Sequence, residues 1–439
     1  MPDEILKYVI FPALDVLTGC LRRYQFLRRL QWDTVQLREW QTKQLRRLVR
    51  HAYATVPYYK QLYDAAGFSP SNLRTLDDLQ KAPVVTRESL KKNFPHRTVS
   101  LAVPSFRRKL SRTSGSTGEM FEFYDDTSVR GYVIASKLLL DSWMGVHVGE
   151  RTLRLTIFES PRWRRRFIGE ANIPQSLWNG NAEEAIDLIS SIRPVSVHGT
   201  VTVLGSVAKR IVRDGIEGGV NLRGICATSE CLSPVDRKLI GVAFGAPVYD
   251  RYGLSEVAGY VAQECNSHNG LHVNGGLTIA EVMNDDEVCG PGESGRLVLT
   301  NLHNHAMPFI RYDTGDLATV GDECSCNRVF AVLKRIEGRS ADWVVTDSTP
   351  ISWDLFLAPL LSSDLSAIER FQFVQERAGE IILLVAPKSA LSEKQMDNLT
   401  KKLNSIHESL SVRIEAVDSI KTTQTGKHLA IRPLITKPT

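Results

Sequence analysis

The spacing of hydrophobic and polar positions along the chain predicts an α/β protein. Residues 37–56 carry apolar side chains at helical spacing, and Pro57 is predicted to end the run. Farther along, short apolar segments alternate with a longer amphipathic one. The segments RTLRLTIF, RPVSVHG, LRGICATS and GAPVYDRYG predict strands, and NAEEAIDLISSI predicts a helix. This alternation favours a sheet with helices packed on it.

The pattern changes twice toward the C-terminus. From about 271 to 336 it becomes rich in strands, which indicates a β-rich subdomain. The last hundred residues predict a small α+β unit in which FQFVQE, EIILLVAP and VRIEAV are strands. Its helix begins with a capping box of Ser392 and Gln395. The apolar stripe of that helix is predicted to be Met396, Leu399, Leu403, Ile406 and Leu410. We therefore predict a large domain, residues 1–339, and a small one, residues 340–439.

Composition narrows the class of protein. The chain of 439 residues is too long for one simple core, and its net charge of +5 does not indicate a nucleic-acid binder. The apolar stretch YVIFPALDVLTGC is interrupted by Pro12 and Asp15, so it predicts no transmembrane segment, although it could dock on a surface. Seven cysteines, an odd number, favour a reducing cytoplasm over a disulfide framework. A monomer or a homodimer is expected.

The stretch TSGSTG, residues 113–118, cannot contribute to a core. One interpretation is a flexible surface turn, since Gly/Ser clusters often form turns. The other is an anion cradle, because glycines let successive backbone N–H groups converge on a phosphate. No Gly-Lys-Ser/Thr follows, so the stretch is not a Walker A loop. By itself this stretch leaves both interpretations open.

Four further stretches occur in a fixed order: YDRYGLSEVAG at 249–259, RYDTGD at 311–316, EGRSAD at 337–342 and KTTQTGKHLAIR at 421–432. Together with TSGSTG, they resemble the motifs of the adenylate-forming superfamily of acyl-CoA synthetases and adenylation domains. The stretch LRRLVRHAYATVPYYKQLYDAAG and the longer form MPFIRYDTGD are similar to the branch of phenylacetate–CoA ligases and capsule-biosynthesis adenylating proteins. The resemblance covers nearly the whole chain.

The resemblance implies an ATP site. Its phosphate loop would be Thr113, Ser114, Gly115, Ser116, Thr117 and Gly118. Tyr252 would stack on adenine, Glu256 would hold magnesium, and Asp316 would accept hydrogen bonds from the ribose hydroxyls. Arg339 would lie at the domain hinge, and Lys427 would reach the site from the small domain.

The resemblance also implies residues around the nucleotide and an acyl pocket. The additional nucleotide-site residues would be Ser229, Glu230 and Gly253. The acyl pocket would be bordered by His198, Gly199 and Ala227. His198 has a second interpretation, as a histidine that is simply packed in the interior.

A separate pattern concerns the cysteines. Cys265 and His272 are spaced C-x6-H, and Cys324 and Cys326 form C-x-C about fifty residues later. Three thiolates and one imidazole are the ligand set of a structural zinc site, and the resemblance supports one here. The alternative is scattered free thiols. The other cysteines show no partner pattern and are expected to be ordinary buried residues: Cys20, Cys226, Cys231 and Cys289.

The predicted function is a ligase that uses ATP and Mg²⁺ to convert a carboxylic acid into acyl-AMP with release of pyrophosphate. Coenzyme A is the expected acceptor. Ala341 and Ser348 depart from family positions that serve the second step, which leaves an amine or a carrier thiol open, as in polysaccharide or secondary-metabolite biosynthesis. A non-catalytic nucleotide-binding scaffold is a further alternative. A serine hydrolase is disfavoured because no G-x-S-x-G elbow is present.

Overall fold

The computed structural model describes a large part of the chain in two compact units. The described residues are 11–112, 121–155, 169–173, 182–216, 221–257, 259–339, 343–344, 351–352, 356, 368–387, 392–406, 410–420 and 431–433. One unit ends at Ile336, and the other begins at Glu337.

The helices confirm the predicted periodicity where it was strongest. Among the described residues they are α1 (Phe11–Leu30), α2 (Thr34–Thr55), α3 (Pro57–Ala65), α4 (Arg87–Asn93), α5 (Arg130–Trp143), α6 (Ala182–Ile192), α7 (Val201–Asp214), α8 (Pro234–Phe244) and α9 (Glu393–Asn404). The helix predicted at 37–56 is α2. Pro57 ends that run and also starts α3. Proline suits the first position of a helix, because the backbone N–H that it lacks would have no partner within the helix there. No helix in these described ranges is long and apolar enough to cross a membrane.

The larger unit is built on one twelve-stranded sheet and a small hairpin. The hairpin pairs β1 (Arg108–Arg112) with β2 (Glu122–Asp126). The strands of the large sheet are β3 (Thr152–Leu155), β4 (Glu170–Ile173), β5 (Ser196–Thr200), β6 (Gly224–Thr228), β7 (Val248–Tyr252), β8 (Ala262–Glu264), β9 (Leu271–Val273), β10 (Thr278–Asn284), β11 (Glu287–Val288), β12 (Ser294–Asn301), β13 (Tyr312–Val320) and β14 (Val332–Arg339). Their spatial order is β11-β10-β12-β13-β14-β9-β8-β7-β6-β5-β3-β4.

This sheet has a parallel part and an antiparallel part. Strands β4, β3, β5, β6 and β7 run parallel, so their carboxyl ends lie at one edge. Strand β8 is antiparallel to β7, and β10, β12 and β13 pair antiparallel to one another. All four segments that the sequence predicts as strands between 151 and 253 contain one, as does the strand-rich region from 271 to 336.

Alternation of side chains gives the parallel part an apolar face. Leu153, Val197, Ile225 and Val248 lie on it and belong to one buried cluster with side chains of α6, α7 and α8. Helices covering a parallel sheet are expected, because its strands are joined by crossover connections. A second buried cluster joins α2, α3 and α4 to the strands of the antiparallel part.

The smaller unit contains a four-stranded sheet and α9. Its strands are β17 (Ile368–Arg377), β18 (Glu380–Pro387), β19 (Ser411–Ala416) and β20 (Ile431–Pro433), and β15 (Trp343–Val344) pairs separately with β16 (Ile351–Ser352). The capping box is confirmed: Ser392 Oγ accepts from the Gln395 backbone N at 3.3 Å, and Gln395 Oε1 accepts from the Ser392 backbone N at 3.0 Å. The stripe was predicted too long, because α9 ends at Asn404 and Leu410 lies just before β19.

Candidate functional site

The predicted acyl-pocket residues lie on neighbouring parallel strands. Gly199 on β5 and Ala227 on β6 are partners in register, and each is the next-to-last residue of its strand. Tyr252 ends β7, the next strand of the same parallel set. The carboxyl edge of parallel strands is where open α/β sheets bind ligands, so this edge is the candidate site.

Three residues predicted for the nucleotide lie together at this edge. The Tyr252 hydroxyl donates a hydrogen bond to Asp316 on β13, and the Tyr312 hydroxyl donates to Glu256 Oε1 at 3.3 Å. Tyr252 is half-buried, whereas Glu256 and Asp316 are buried, with 2% and 7% of their surfaces exposed. Desolvation, followed by the nearby Asp316 carboxylate, holds the pKa of Tyr252 well above its usual value, so the phenol stays protonated and remains a donor.

Tyr312 was not singled out from the sequence, although it stands inside RYDTGD. Its hydroxyl bonds the Glu256 carboxylate, and the same strand, β13, carries Asp316 four residues later. Both side chains are buried, and the register of β13 with β12 shifts between them, where Gly315 has a φ of +76°. One strand therefore presents a group to each of two predicted nucleotide-site residues, Glu256 and Tyr252.

Gly253 occupies a turn that only glycine fits without a shift. A Cβ placed there would lie 2.2 Å from the carbonyl oxygen of Gly259. That close backbone approach folds the YDRYGLSEVAG stretch back on itself directly after β7. The turn fixes Tyr252 on one side and Glu256 on the other.

Ser229 and Glu230 follow β6 at the same edge. Ser229 adopts a φ of +70°, in the left-handed region that non-glycine residues seldom occupy. Glu230 Oε2 accepts a hydrogen bond from the backbone N of Thr202 at 2.6 Å, in the first turn of α7. A carboxylate is favourable at a helix N-terminus, so Glu230 ties the end of β6 to the start of α7.

His198 lies in the interior of the fold. It is 3% exposed, and its Nε2 is 3.0 Å from Ser196 Oγ, with which it shares a hydrogen bond. Burial lowers its pKa to about 3; nearby Asp141 opposes this shift, and nearby cations add to it. His198 is therefore neutral near pH 7. It lies among charged side chains that the sequence analysis did not identify: Lys137, Asp141, Arg154 and Arg251.

The predicted zinc ligands converge in space. The ligand atoms of Cys265, His272, Cys324 and Cys326 all lie within 4.8 Å of one another. Cys265 Sγ is 3.7 Å from Cys324 Sγ, and Cys326 Sγ is 3.2 Å from His272 Nε2. Two thiolates on one tetrahedral zinc are expected to be about 3.8 Å apart, so this donor set fits the ion.

Second contacts orient the histidine of this cluster. His272 Nδ1 lies 3.4 Å from the carbonyl oxygen of Phe330, which directs Nε2 toward the cysteines. Burial lowers the pKa of His272 to about 4, so the ring is neutral near pH 7, as a metal ligand must be.

The remaining cysteines differ from the prediction in part. Cys20 and Cys226 are buried, but Cys231 is exposed and Cys289 is half-buried. Cys231 follows the end of β6 at the surface, so no core surrounds it.

Several predicted residues lie outside the described residues. They are Thr113, Ser114, Gly115, Ser116, Thr117, Gly118, Ala341, Ser348 and Lys427. Arg339 ends β14, but its side chain is not described. Their roles remain those that the resemblance implies.

Comparison with known proteins gives matches along the chain. The family of CapK C-terminal domains matches residues 358–433. The phenylacetate-coenzyme A ligase of Thermus thermophilus is 28% identical over a match that covers 79% of this chain and 80% of that protein. Protein CapK of Staphylococcus aureus is 22% identical over 87% of this chain and 84% of its own length. The predicted resemblance is confirmed, since homologues of the chain are phenylacetate–CoA ligases and CapK.

A solved structure supports the fold class. The crystal structure of 2-hydroxyisobutyryl-CoA ligase in the postadenylation state aligns with a TM-score of 0.76 at 20% identity, covering 90% of this chain and 88% of that one. The fold class predicted from the sequence, a large α/β domain with a small α+β C-terminal domain, is confirmed, and that ligase shares it.

Proposed function

We propose that the protein is an ATP-dependent ligase that joins a carboxylic acid to AMP, releases pyrophosphate and then transfers the acyl group to coenzyme A. The observation that carries the proposal is the meeting of Tyr252, Glu256 and Asp316 at the carboxyl edge of the parallel strands. Homologues of the chain include phenylacetate–CoA ligases, which indicates an enzyme of this class. A small-molecule acid, ATP and CoA are accordingly the proposed partners, in the cytoplasm.

The first step needs positioning more than proton transfer. A substrate carboxylate is already nucleophilic near neutral pH, so its attack on the α-phosphate requires no general base. The requirement is stabilisation of the negative charge that develops on the phosphate oxygens. Lys427 and the loop at 113–118 are proposed to supply part of it, and Tyr252 and Asp316 to hold adenine and ribose in place.

Glu256 is suited to hold magnesium. Its carboxylate is buried and close enough to Tyr252 to act on it electrostatically, and Mg²⁺ prefers oxygen ligands. When bound with ATP, the ion would add positive charge at the phosphates. The Tyr312 hydroxyl would keep the Glu256 carboxylate oriented, because it donates to Oε1.

We further propose that the cluster of Cys265, His272, Cys324 and Cys326 binds structural zinc, since its spacing fits a tetrahedral ion.

Transfer to an amine or to a carrier thiol is the second candidate for the last step. The observation that supports it is the match of residues 358–433 to the family of CapK C-terminal domains. The two candidates differ in their product. With an accepted acid, ATP and CoA, the first predicts an acyl-CoA by mass spectrometry. Rapid adenylate formation without a CoA thioester would favour the second.

The proposed first step is tested by acid-dependent ATP–pyrophosphate exchange over aryl, fatty and amino acids. Asp316→Asn should raise the KM for ATP about 10- to 100-fold, because hydrogen bonds to a charged acceptor are lost. Asp322→Asn, at an exposed aspartate beyond the end of β13, is the matched control and should leave the KM unchanged. A normal KM for ATP in Asp316→Asn would show that Asp316 does not contact the nucleotide. If none of the acids supported ATP–pyrophosphate exchange, the proposed ligase function would be contradicted.

A further inference from the structure

The parallel part of the large sheet has a second face, and that face is polar. Thr152 pairs in register with Ser196, and Arg154 pairs with His198, so all four side chains point away from the apolar cluster. Parallel sheets are normally covered on both sides by apolar residues. A buried polar face is expensive unless its groups are matched, so it calls for a specific reason.

Helix α5 covers this face and supplies charges of its own. Lys137 Nζ lies 2.6 Å from Asp141 Oδ2 and 3.3 Å from Glu170 Oε2 on β4. The Arg251 guanidinium lies 2.6 Å from Asp141 Oδ1. The side chains of Lys137, Asp141 and Arg251 are 3% to 4% exposed, and that of Glu170 is 0% exposed. Among the described residues, Asp141 pairs with both Lys137 and Arg251, and Glu170 pairs with Lys137.

Arg154 is the third cation of the network, and the Glu170 carboxylate favours its charged form without a direct ion pair among the described residues. Its Nη1 donates to the Tyr260 hydroxyl at 3.1 Å, and its guanidinium carbon lies 5.9 Å from the centre of that ring. Within the described residues, no carboxylate forms an ion pair with it. Among the described residues, three cations thus face two carboxylates, and His198 is neutral near pH 7. Counted over this part of the chain, the network holds one more cation than carboxylates.

The position of Arg154 makes this charge reachable by a ligand. It is the next-to-last residue of β3, so it lies close to the carboxyl edge at which Gly199, Ala227 and Tyr252 lie. Arg154 is half-buried, unlike Lys137 and Arg251, which are buried. Thr152, two residues earlier on the same face, is buried, and its hydroxyl has no hydrogen-bond partner in the part of the chain that the structure describes.

We propose that Arg154 binds a second anionic group of the substrate, so that the acid activated by this protein is a dicarboxylic acid. One carboxylate is adenylated, and the other pairs with the Arg154 guanidinium beside the Tyr260 hydroxyl. A guanidinium offers parallel N–H donors that match a carboxylate, and a partly desolvated site strengthens the pairing. The inference rests on the proposed function and names the substrate class of that same site. Arg154 is then a specificity-determining residue rather than a group that acts on the reacting atoms.

Matched acids test this inference in the exchange assay. The pairs are phenylacetate with 4-carboxyphenylacetate and hexanoate with adipate, each compared by kcat/KM. In the wild-type protein, the dicarboxylic member of at least one pair should be preferred about 10- to 100-fold, the scale of one charged hydrogen-bonded contact. Arg154→Gln should abolish that preference by raising the KM for the dicarboxylic acid, with the monocarboxylic partner unchanged. Arg154→Lys should retain part of it, since the charge remains.

Arg223→Gln is the control for a general loss of charge. Arg223 is exposed and pairs with Glu150 at 2.5 Å, and this variant should keep the wild-type preference. A wild-type preference for the monocarboxylic members, or an equal loss with both members in Arg154→Gln, would overturn the inference while leaving the ligase proposal intact. If none of the acids in the wider panel supported exchange, the ligase proposal would be overturned, and the inference with it.

Discussion

At the scale of single residues, burial decides the protonation state of His198. The same side chain in an exposed loop would titrate near pH 6.5. Here burial and the nearby guanidinium and ammonium groups disfavour the imidazolium, and the pKa falls to about 3. The Asp141 carboxylate raises the pKa of His198, but by less than burial and the nearby cations together lower it. The folded state therefore resists protonation that the unfolded chain accepts.

This difference predicts a pH dependence of stability. Between about pH 6.5 and about pH 3 the unfolded chain binds a proton at His198 and the folded state does not, so the free energy of unfolding falls as the pH falls. One such group contributes at most about 1.4 kcal/mol per pH unit. In urea unfolding measured across this range, His198→Gln should show a shallower fall than the wild type.

The control for this measurement is His96→Gln, at an exposed histidine. It should follow the wild-type curve at every pH. Identical slopes for His198→Gln and the wild type would show that His198 is protonated in the folded state.

At the scale of elements, the turn after β7 positions Tyr252 and Glu256, two residues of the proposed nucleotide site. Gly253→Ala would place a methyl group 2.2 Å from the Gly259 carbonyl oxygen, so the turn would have to open. Tyr252 and Glu256, on either side of it, would move with it. We expect a KM for ATP raised by about 10-fold or more, since displacement by a fraction of an ångström is costly in a positioned site.

Gly241→Ala is the matched substitution for Gly253→Ala. Gly241 lies inside α8, and its added Cβ would meet the nearest atom at an ordinary 3.6 Å. Alanine is favoured over glycine in helices by about 1 kcal/mol, so Gly241→Ala should keep the KM and at least the wild-type melting temperature. An unchanged KM in Gly253→Ala would mean that the turn does not position the site.

At the scale of the whole molecule, the proposed zinc site joins segments far apart in the sequence. Cys265 follows β8, His272 lies on β9, and Cys324 and Cys326 lie between β13 and β14. An ion held by all four would fix the middle of the large sheet. Because a structural zinc contributes its binding free energy to folding, the site should affect global stability.

Purified protein should therefore contain close to one zinc per chain. Cys324→Ser should lower both the zinc content, measured by mass spectrometry of the metal, and the melting temperature. Cys231→Ser, at the exposed cysteine, should change neither. Zinc-free wild-type protein with the same melting temperature as the zinc-loaded form would refute the site.

The sequence by itself determined the class of the fold and the resemblance to phenylacetate–CoA ligases and CapK, and it identified the four cysteine and histidine residues that converge in space. Local periodicity is enough to predict α2 and the strands β5, β6 and β7, because each follows one unbroken pattern of apolar positions. Spaced motifs identified Tyr252 and Asp316, and the structure joins them by a hydrogen bond. The end of α9 was missed because the apolar spacing continues through Ile406 to Leu410, while the helix itself stops at Asn404.

Only the tertiary structure decided what lies on the polar face of the sheet. In sequence, Lys137, Asp141, Arg154 and Arg251 are ordinary charged residues, most of which would be expected at the surface. Their burial follows from the order of the strands and from α5 lying across them, which no local pattern encodes. Whether a buried charge destabilises the fold depends on the groups that surround it. Here those groups come from residues more than a hundred positions apart, such as Asp141 and Arg251.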